Sequence, residues 1–354
     1  MDNHNLCIDN VPDKFRKIPK KVRKSPFWGS TKKYLGARND GTIPWPDYTT
    51  SGDNELGLGE HFQGIQRIGQ YLILSGGIKT GIRRSQLIVI KMGTQSETGP
   101  WALPRYGFSY KKPPPKDRIV KVVDIDRVKW HAGGIQAMGK IIAVPIYGGP
   151  PGSGIRYFDF SVPENGPVEI EGIRLTKSDM NSKAVALTQL PNDHYMTMVW
   201  DDEYLDFHYS NSDDIQNGFQ TTHTRVHKNE VQGGFQPGGA GISGFGTYQS
   251  VNFVRDCDNT VYFVAARNQQ KGSPTFPGDD YADLYKVLWP NGYEARPEIS
   301  LVDHRQLYCY NQQCNFGAGA GIYVDDEQHF FLYGASHWLH GGNARYNFNE
   351  YSYT

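Results

Sequence analysis

The segment His61-Phe-Gln-Gly-Ile-Gln-Arg-Ile-Gly-Gln-Tyr-Leu-Ile-Leu74 returns further along the chain as His131-Ala-Gly-Gly-Ile-Gln-Ala-Met-Gly-Lys-Ile-Ile-Ala-Val144. His, Gly, Ile, Gln and Gly recur in register, and an apolar run follows each time. A recurrence of this kind marks stacked supersecondary units, each too small to bury its own apolar face. It constrains the fold more than any other feature of the chain.

The units can be traced from residue 60 to the last residue. The strand-like runs 65–68, 71–75, 86–92 and 118–125 form one set, and 134–138, 140–146, 155–162 and 168–176 the next. A third set covers 183–190, 194–200, 204–210 and 221–231, and a fourth 250–255, 260–267, 281–288 and 298–308. A last set has only three runs, 319–324, 329–338 and 344–353. The first two runs of each set flank a polar turn: Gly69-Gln70, Gly139-Lys140, Pro191-Asn192-Asp193, Asp256–Asn259 and Asp325–Gln328. Gly, Asn and Asp there are what tight hairpins require. The 40 Gly, 22 Tyr and 13% aromatic content fit short strands and tight turns better than helices.

Four strands in each of five sets resemble the blades of β-propeller repeat proteins in general. The resemblance covers residues 60–354 and implies an all-β, five-bladed propeller of four-stranded blades. Neither the Trp-Asp signature of the WD repeat nor the paired glycines of the kelch repeat appears, and a six-bladed ring or a sandwich stays open. The last set lacks its fourth strand, so closure without an open edge calls on an N-terminal strand, from 27–35 or 45–50. Residues 1–26 then read as a basic, flexible segment and 27–354 as one propeller domain. The run at 13–24 is basic and interrupted by proline, and reads as a solvated tail.

Several function classes lose ground. The formal charge is zero, so no global field favours nucleic acid. No apolar run is long enough to span a membrane, and Met-Asp-Asn-His-Asn-Leu-Cys lacks the pattern of a secretory signal, which makes the cytoplasm the default expectation. Of the four cysteines, Cys309 and Cys314 are near enough to close a small loop, or are ordinary thiols. No GxSxG, HExxH, EF-hand or phosphate-loop pattern occurs. The first strands of the first two sets carry Gln, Ile and Gly, which disfavours a glycosidase with inner-strand carboxylates.

Propeller geometry gathers scattered residues at one mouth of the channel. His61 and His131 start inner strands, and His337 and His340 lie in a second-to-third-strand loop with Trp338. Arg83, Arg84, Asp201, Asp202 and Arg267 occupy equivalent loops, with Trp130 and Trp200 beside them. His61, His131 and His337 are candidate ligands of a divalent metal, or acid–base groups, or structural residues. Trp130, Trp200 and Trp338 are candidate stacking walls, with Arg83, Arg267, Asp201 and His340 as further ligand contacts. Asp201-Asp202-Glu203 reads as a calcium loop or a plain acidic hairpin. The Gly-rich stretch 231–246 reads as a lid or a linker, and 266–280 as a rim. Gln66 and Gln136 read as groups that satisfy inner-strand backbone.

The expectation is a ligand-binding propeller with a His- and Trp-lined mouth. It takes a small molecule or a glycan, and metal-assisted or His-mediated hydrolase, lyase or oxidase chemistry is open. The alternatives are a lectin-like module and a protein-interaction scaffold.

Overall fold

A computed structural model describes residues 7–20, 32–34, 61–78, 83–91, 118–178, 181–233, 245, 248–269, 279–308, 315–335 and 347–353. The strands form five antiparallel sheets arranged as the blades of a propeller. Blade one is β2 (His61–Ile68), β3 (Tyr71–Ile78), β4 (Arg84–Lys91) and β5 (Arg118–Asp126). In blade two the inner strand is split into β6 (His131–Ala132) and β7 (Gln136–Met138), followed by β8 (Ile141–Tyr147) and β9 (Ser153–Asp159). Its outer strand is likewise split into β10 (Val168–Glu169) and β11 (Leu175–Lys177) by a short 3-10 turn.

Blade three is β12 (Ala184–Gln189), β13 (Tyr195–Trp200), β14 (Tyr204–Tyr209) and β15 (Thr224–His227). Blade four is β16 (Ser250–Arg255), β17 (Val261–Gln269), β18 (Asp279–Leu288) and β19 (Glu298–Leu307). Blade five is β20 (Ala320–Val324), β21 (Phe330–Ala335) and β22 (Asn347–Tyr353), and β1 (Lys32–Tyr34) pairs antiparallel with β22 as its fourth strand. The closing strand is therefore the first of the two expected segments.

The hairpins between first and second strands turn where the sequence says. Each holds one residue in the left-handed region: Gly69, Gly139, Asp193, Asn259 and Gln328. The repeat itself serves the channel. A Cβ on Gly64 would lie 3.0 Å from the Ile135 nitrogen of blade two, and one on Gly134 would lie 2.3 Å from the Gln249 carbonyl oxygen before blade four across the channel, so these inner strands come this close only because both are glycine. Gln136 bridges three blades: its Oε1 accepts from the backbone of Leu187 (2.9 Å) and Phe253 (2.8 Å), and its Nε2 donates to the Phe253 carbonyl (2.9 Å). Gln66 Oε1 accepts from the Ala137 backbone at 3.3 Å. The channel is filled at this level by glycine contacts and glutamine amides.

Apolar seams between blades make the core. Trp200, Met196, Met198 and Phe207 of blade three pack with Phe245, Phe263 and Tyr285 beside blade four. The seam of blades five and one, where the ring closes, buries Arg67 against Tyr333 and Glu350. The basic run has a structural place of its own. Residues Val11–Lys17 form a helix, α1, capped by Asn10, with Val11, Phe15 and Ile18 buried against blades four and five. Its charged residues face out, which is why the sequence reads as a solvated tail. A disulfide joins Cys7 to Cys257 in the turn between β16 and β17.

Candidate functional site

The upper face of the ring is where inner strands begin and second-to-third-strand loops turn. His131 opens β6 and is buried. Its ring stacks on Tyr147 (centroids 4.3 Å, interplanar 28°), its partner across the ladder, and Trp130 lies 5.0 Å away on a tilted plane. Trp130 rests on Gly148, where a Cβ would come within 2.8 Å of the indole. Burial, and then the charge of Asp202, raise the Tyr147 phenol above its ordinary value, so it stays a neutral donor.

Asp202 and Lys183 form an ion pair beside this stack. Asp201 accepts from the backbone of Glu203 (2.9 Å) and Tyr204 (2.6 Å) and so caps its own turn. Glu203 points to solvent. The acidic loop is thus occupied by its own hairpin and by Lys183, and its carboxylates do not gather around a cation. Among the described residues no three His, Cys, Asp or Glu converge as a metal site.

Gly77 is the cross-strand partner of His61, and its missing Cβ would sit 3.1 Å from the His131 Cα. The backbones of the two repeated histidines therefore stand on the same rim with one glycine between them. Only the backbone of His61 is described, and His337, Trp338 and His340 lie outside the described residues, as do Cys309 and Cys314.

No protein-family profile matches the chain, and no curated protein sequence matches it. Solved structures share its outline at low identity. An endo-arabinase from Bacteroides thetaiotaomicron is 8% identical, with 82% of this chain and 93% of that one covered and a TM-score of 0.47. An exo-1,5-α-L-arabinanase from a bovine ruminal metagenomic library is 9% identical, with 82% and 92% covered and a TM-score of 0.46. An endosialidase of phage phi92 is 10% identical, with 88% and 59% covered and a TM-score of 0.40. Likenesses of this degree carry no argument about chemistry. The five-bladed ring rests on this chain's own sheets.

Two expected ligand contacts have other duties. Trp200 is fully buried, its indole N–H donates to the Tyr248 carbonyl (3.2 Å), and its ring meets Phe245 edge-on. It has no face left for a ligand, and its alternation with Met196 and Met198 is the sequence signal of a core position. Arg267 is buried beside Asp283 (3.5 Å) and lies over the rings of Tyr248 and Tyr281. Arg83 is exposed at the start of blade one's third strand, as expected. The group that the sequence did not reveal is the one around Asp283, which joins His304, Tyr248 and Tyr285.

At the opposite end of the channel a cavity of about 70 Å³ is lined by Gln136, Met138, Thr188, Arg255 and Tyr323, among others. Ligand pockets usually enclose roughly 300 Å³ or more, so this space suits a few waters rather than a sugar ring.

Proposed function

We propose that the chain is a ligand-binding propeller whose site lies on the upper face over blades one to three, and that its ligand is a carbohydrate. The observation that carries the reading is the Trp130–His131–Tyr147 stack beside the Lys183–Asp202 pair. A partly exposed indole offers a flat apolar face to the C–H side of a sugar ring. The flanking ion pair offers donors and acceptors to its hydroxyls. Arg83, on the same face, would orient an anionic group where the ligand has one.

The test is a titration of the protein with a panel of oligosaccharides, read by tryptophan fluorescence, on wild type and Trp130→Ala. Saturable binding that weakens tenfold or more in the variant is expected. No binding by wild type, or equal binding by the variant, overturns the reading.

A second reading, favoured by the shared rim of His61 and His131, is an enzyme. There His131 serves as acid–base group, or His61, His131 and His337 hold a divalent metal. Elemental analysis of wild type and His131→Ala separates the two. Stoichiometric metal lost in the variant supports a metal enzyme, whereas no uptake from zinc or manganese salts ends that form of it. The Cys7–Cys257 bridge favours an oxidising compartment over the cytoplasm.

A further inference from the structure

Trp130 ends the linker from β5 to β6, and Asp126 fixes the residues just before it. The Oδ1 of Asp126 accepts from the backbone of Val128 (2.7 Å) and Lys129 (2.8 Å), and its Oδ2 meets Arg156 of blade two at 3.5 Å. From this turn the Lys129 side chain also reaches blade two. Its Nζ donates to the Gly152 carbonyl at 2.6 Å, and at longer range to those of Pro150 and Pro151, both at 3.4 Å. An ammonium has three donors and no acceptor, so three carbonyls use it in full.

The carbonyls belong to Gly148-Gly-Pro-Pro-Gly152, the loop from β8 to β9. Its two prolines lack a backbone N–H, so the loop has few donors of its own to hold its shape. The start of the same loop carries the indole. A Cβ on Gly148 would lie 2.8 Å from Trp130 Cε2 and 3.0 Å from its Nε1, and one on Gly149 would lie 2.6 Å from the Val128 carbonyl oxygen. The Trp130 backbone is seated on blade one, where a Cβ on Gly77 would lie 2.1 Å from its carbonyl oxygen. Linker and loop thus form one circuit. Asp126 turns the linker, Lys129 holds the far end of the loop, and Gly148 bears the ring of the next residue.

We propose that Lys129 is a positioning residue of the upper-face site, and that its hold on the 148–152 loop sets the Trp130 indole before a ligand arrives. This rests on the reading that Trp130 receives a sugar ring. The Lys129 ammonium is committed to main-chain carbonyls, so its part is indirect. It removes the ordering that an unsupported indole undergoes on binding, and less ordering means higher affinity.

The experiment is nitrogen relaxation of the tryptophan indole N–H groups in the full chain, free and titrated with cellohexaose, xylohexaose and arabinohexaose. The Trp130 signal is assigned by its loss in Trp130→Ala. In the free wild type it should be as ordered as that of the fully buried Trp200. Lys129→Met should loosen Trp130, leave Trp200 unchanged and weaken saccharide binding about fivefold. Gly148→Ala keeps Lys129 but drives the ring off its seat, and should weaken binding at least as much. A Trp130 indole already mobile in the free wild type overturns the proposal. So does one unchanged by Lys129→Met, whatever that variant does to the melting temperature, and so does a loosened ring that binds with wild-type affinity. Where the wild type binds no saccharide, the carbohydrate reading falls, and indole relaxation still decides whether Lys129 positions Trp130. Where Lys129→Met fails to fold, the wild-type ammonium decides. Its protons should exchange slowly with water, and free exchange overturns the proposal.

Discussion

Asp206 and Asp280 are both buried aspartates on a third blade strand, and they are held in opposite ways. Asp206, in blade three, is bonded to Arg225 across the ladder (2.7 Å) and to Lys177 arriving from blade two. Burial pushes its carboxyl up, but Arg225 and Lys177 outweigh that and leave it below the usual range. Among the described residues Asp280, in blade four, accepts only from neutral donors, Asn268 Nδ2 (2.9 Å) and the Phe316 backbone (2.8 Å). Burial pushes it up to about 7. The chemistry of the partner, more than depth, decides whether a buried acid is charged. A charged one can stitch two blades together, whereas a neutral one only holds a segment in place.

The largest expected effect comes from removing each acid. Asp206→Ala takes the ion-pair partner from the buried Lys177 and should cost about 3–5 kcal/mol in denaturant unfolding. Asp280→Ala loses two hydrogen bonds to neutral groups and should cost about 1–3 kcal/mol. Equal losses would break the comparison.

The next effect is on pH dependence, and here a neighbour of Asp206 enters. His208 is buried beside it, with its ring stacked on His223 (4.8 Å). Burial first, then the charges of Lys177 and His223, lower it from 6.5 to about 3. The unfolded chain therefore takes up this proton first, and stability is full above pH 6.5 and falls toward pH 3. The slope is about 1.4 kcal/mol per pH unit. Asp280 works with the opposite sign. Its folded value, about 7, lies above the ordinary 3.8, so its contribution is full below 3.8 and is lost as pH rises through 7. Between pH 3.8 and 6.5 the slopes from these two groups oppose and offset each other. His208→Phe should then lose stability as pH rises, and Asp280→Asn as pH falls. Parallel profiles for the two variants would show that one assignment is wrong.

Much of this was legible in the sequence, for identifiable reasons. The five hairpin turns are local, and each needs one left-handed residue, so Gly, Asn or Asp marks four of the five. Closure by an N-terminal strand follows from counting strands, while the choice of β1 between the two candidate segments came from the structure. The cross-channel role of Gln136 follows from its recurrence with Gln66. What stayed hidden depends on distance or on small shifts of register. Cys7 and Cys257 are separated by 250 residues with no local signal to join them. Asp283 meets His304 only through a one-residue bulge. The pairing of Lys177 with Asp206 crosses a blade seam that no single-blade pattern announces.

A smaller effect separates the two cations that hold Asp206. Arg225 is partly exposed and lies over the Tyr204 ring (4.7 Å), whereas Lys177 is buried. Arg225→Gln keeps a donor near Asp206 and gives up a charge that water already screens. It should cost about 1 kcal/mol, and less as salt is raised. Lys177→Met takes away the buried cation and leaves Asp206 with Arg225 and, at 3.8 Å, His223, so it should cost more and respond little to salt. Lys177 is itself pushed below its ordinary value by burial, with Asp206 opposing. A double variant, Lys177→Met with Asp206→Asn, removes both charges and should recover part of the single Lys177→Met loss. Additive losses in that double variant would mean that Lys177 and Asp206 do not act as a pair across the seam, and the contrast with Asp280 would then rest on Arg225 alone.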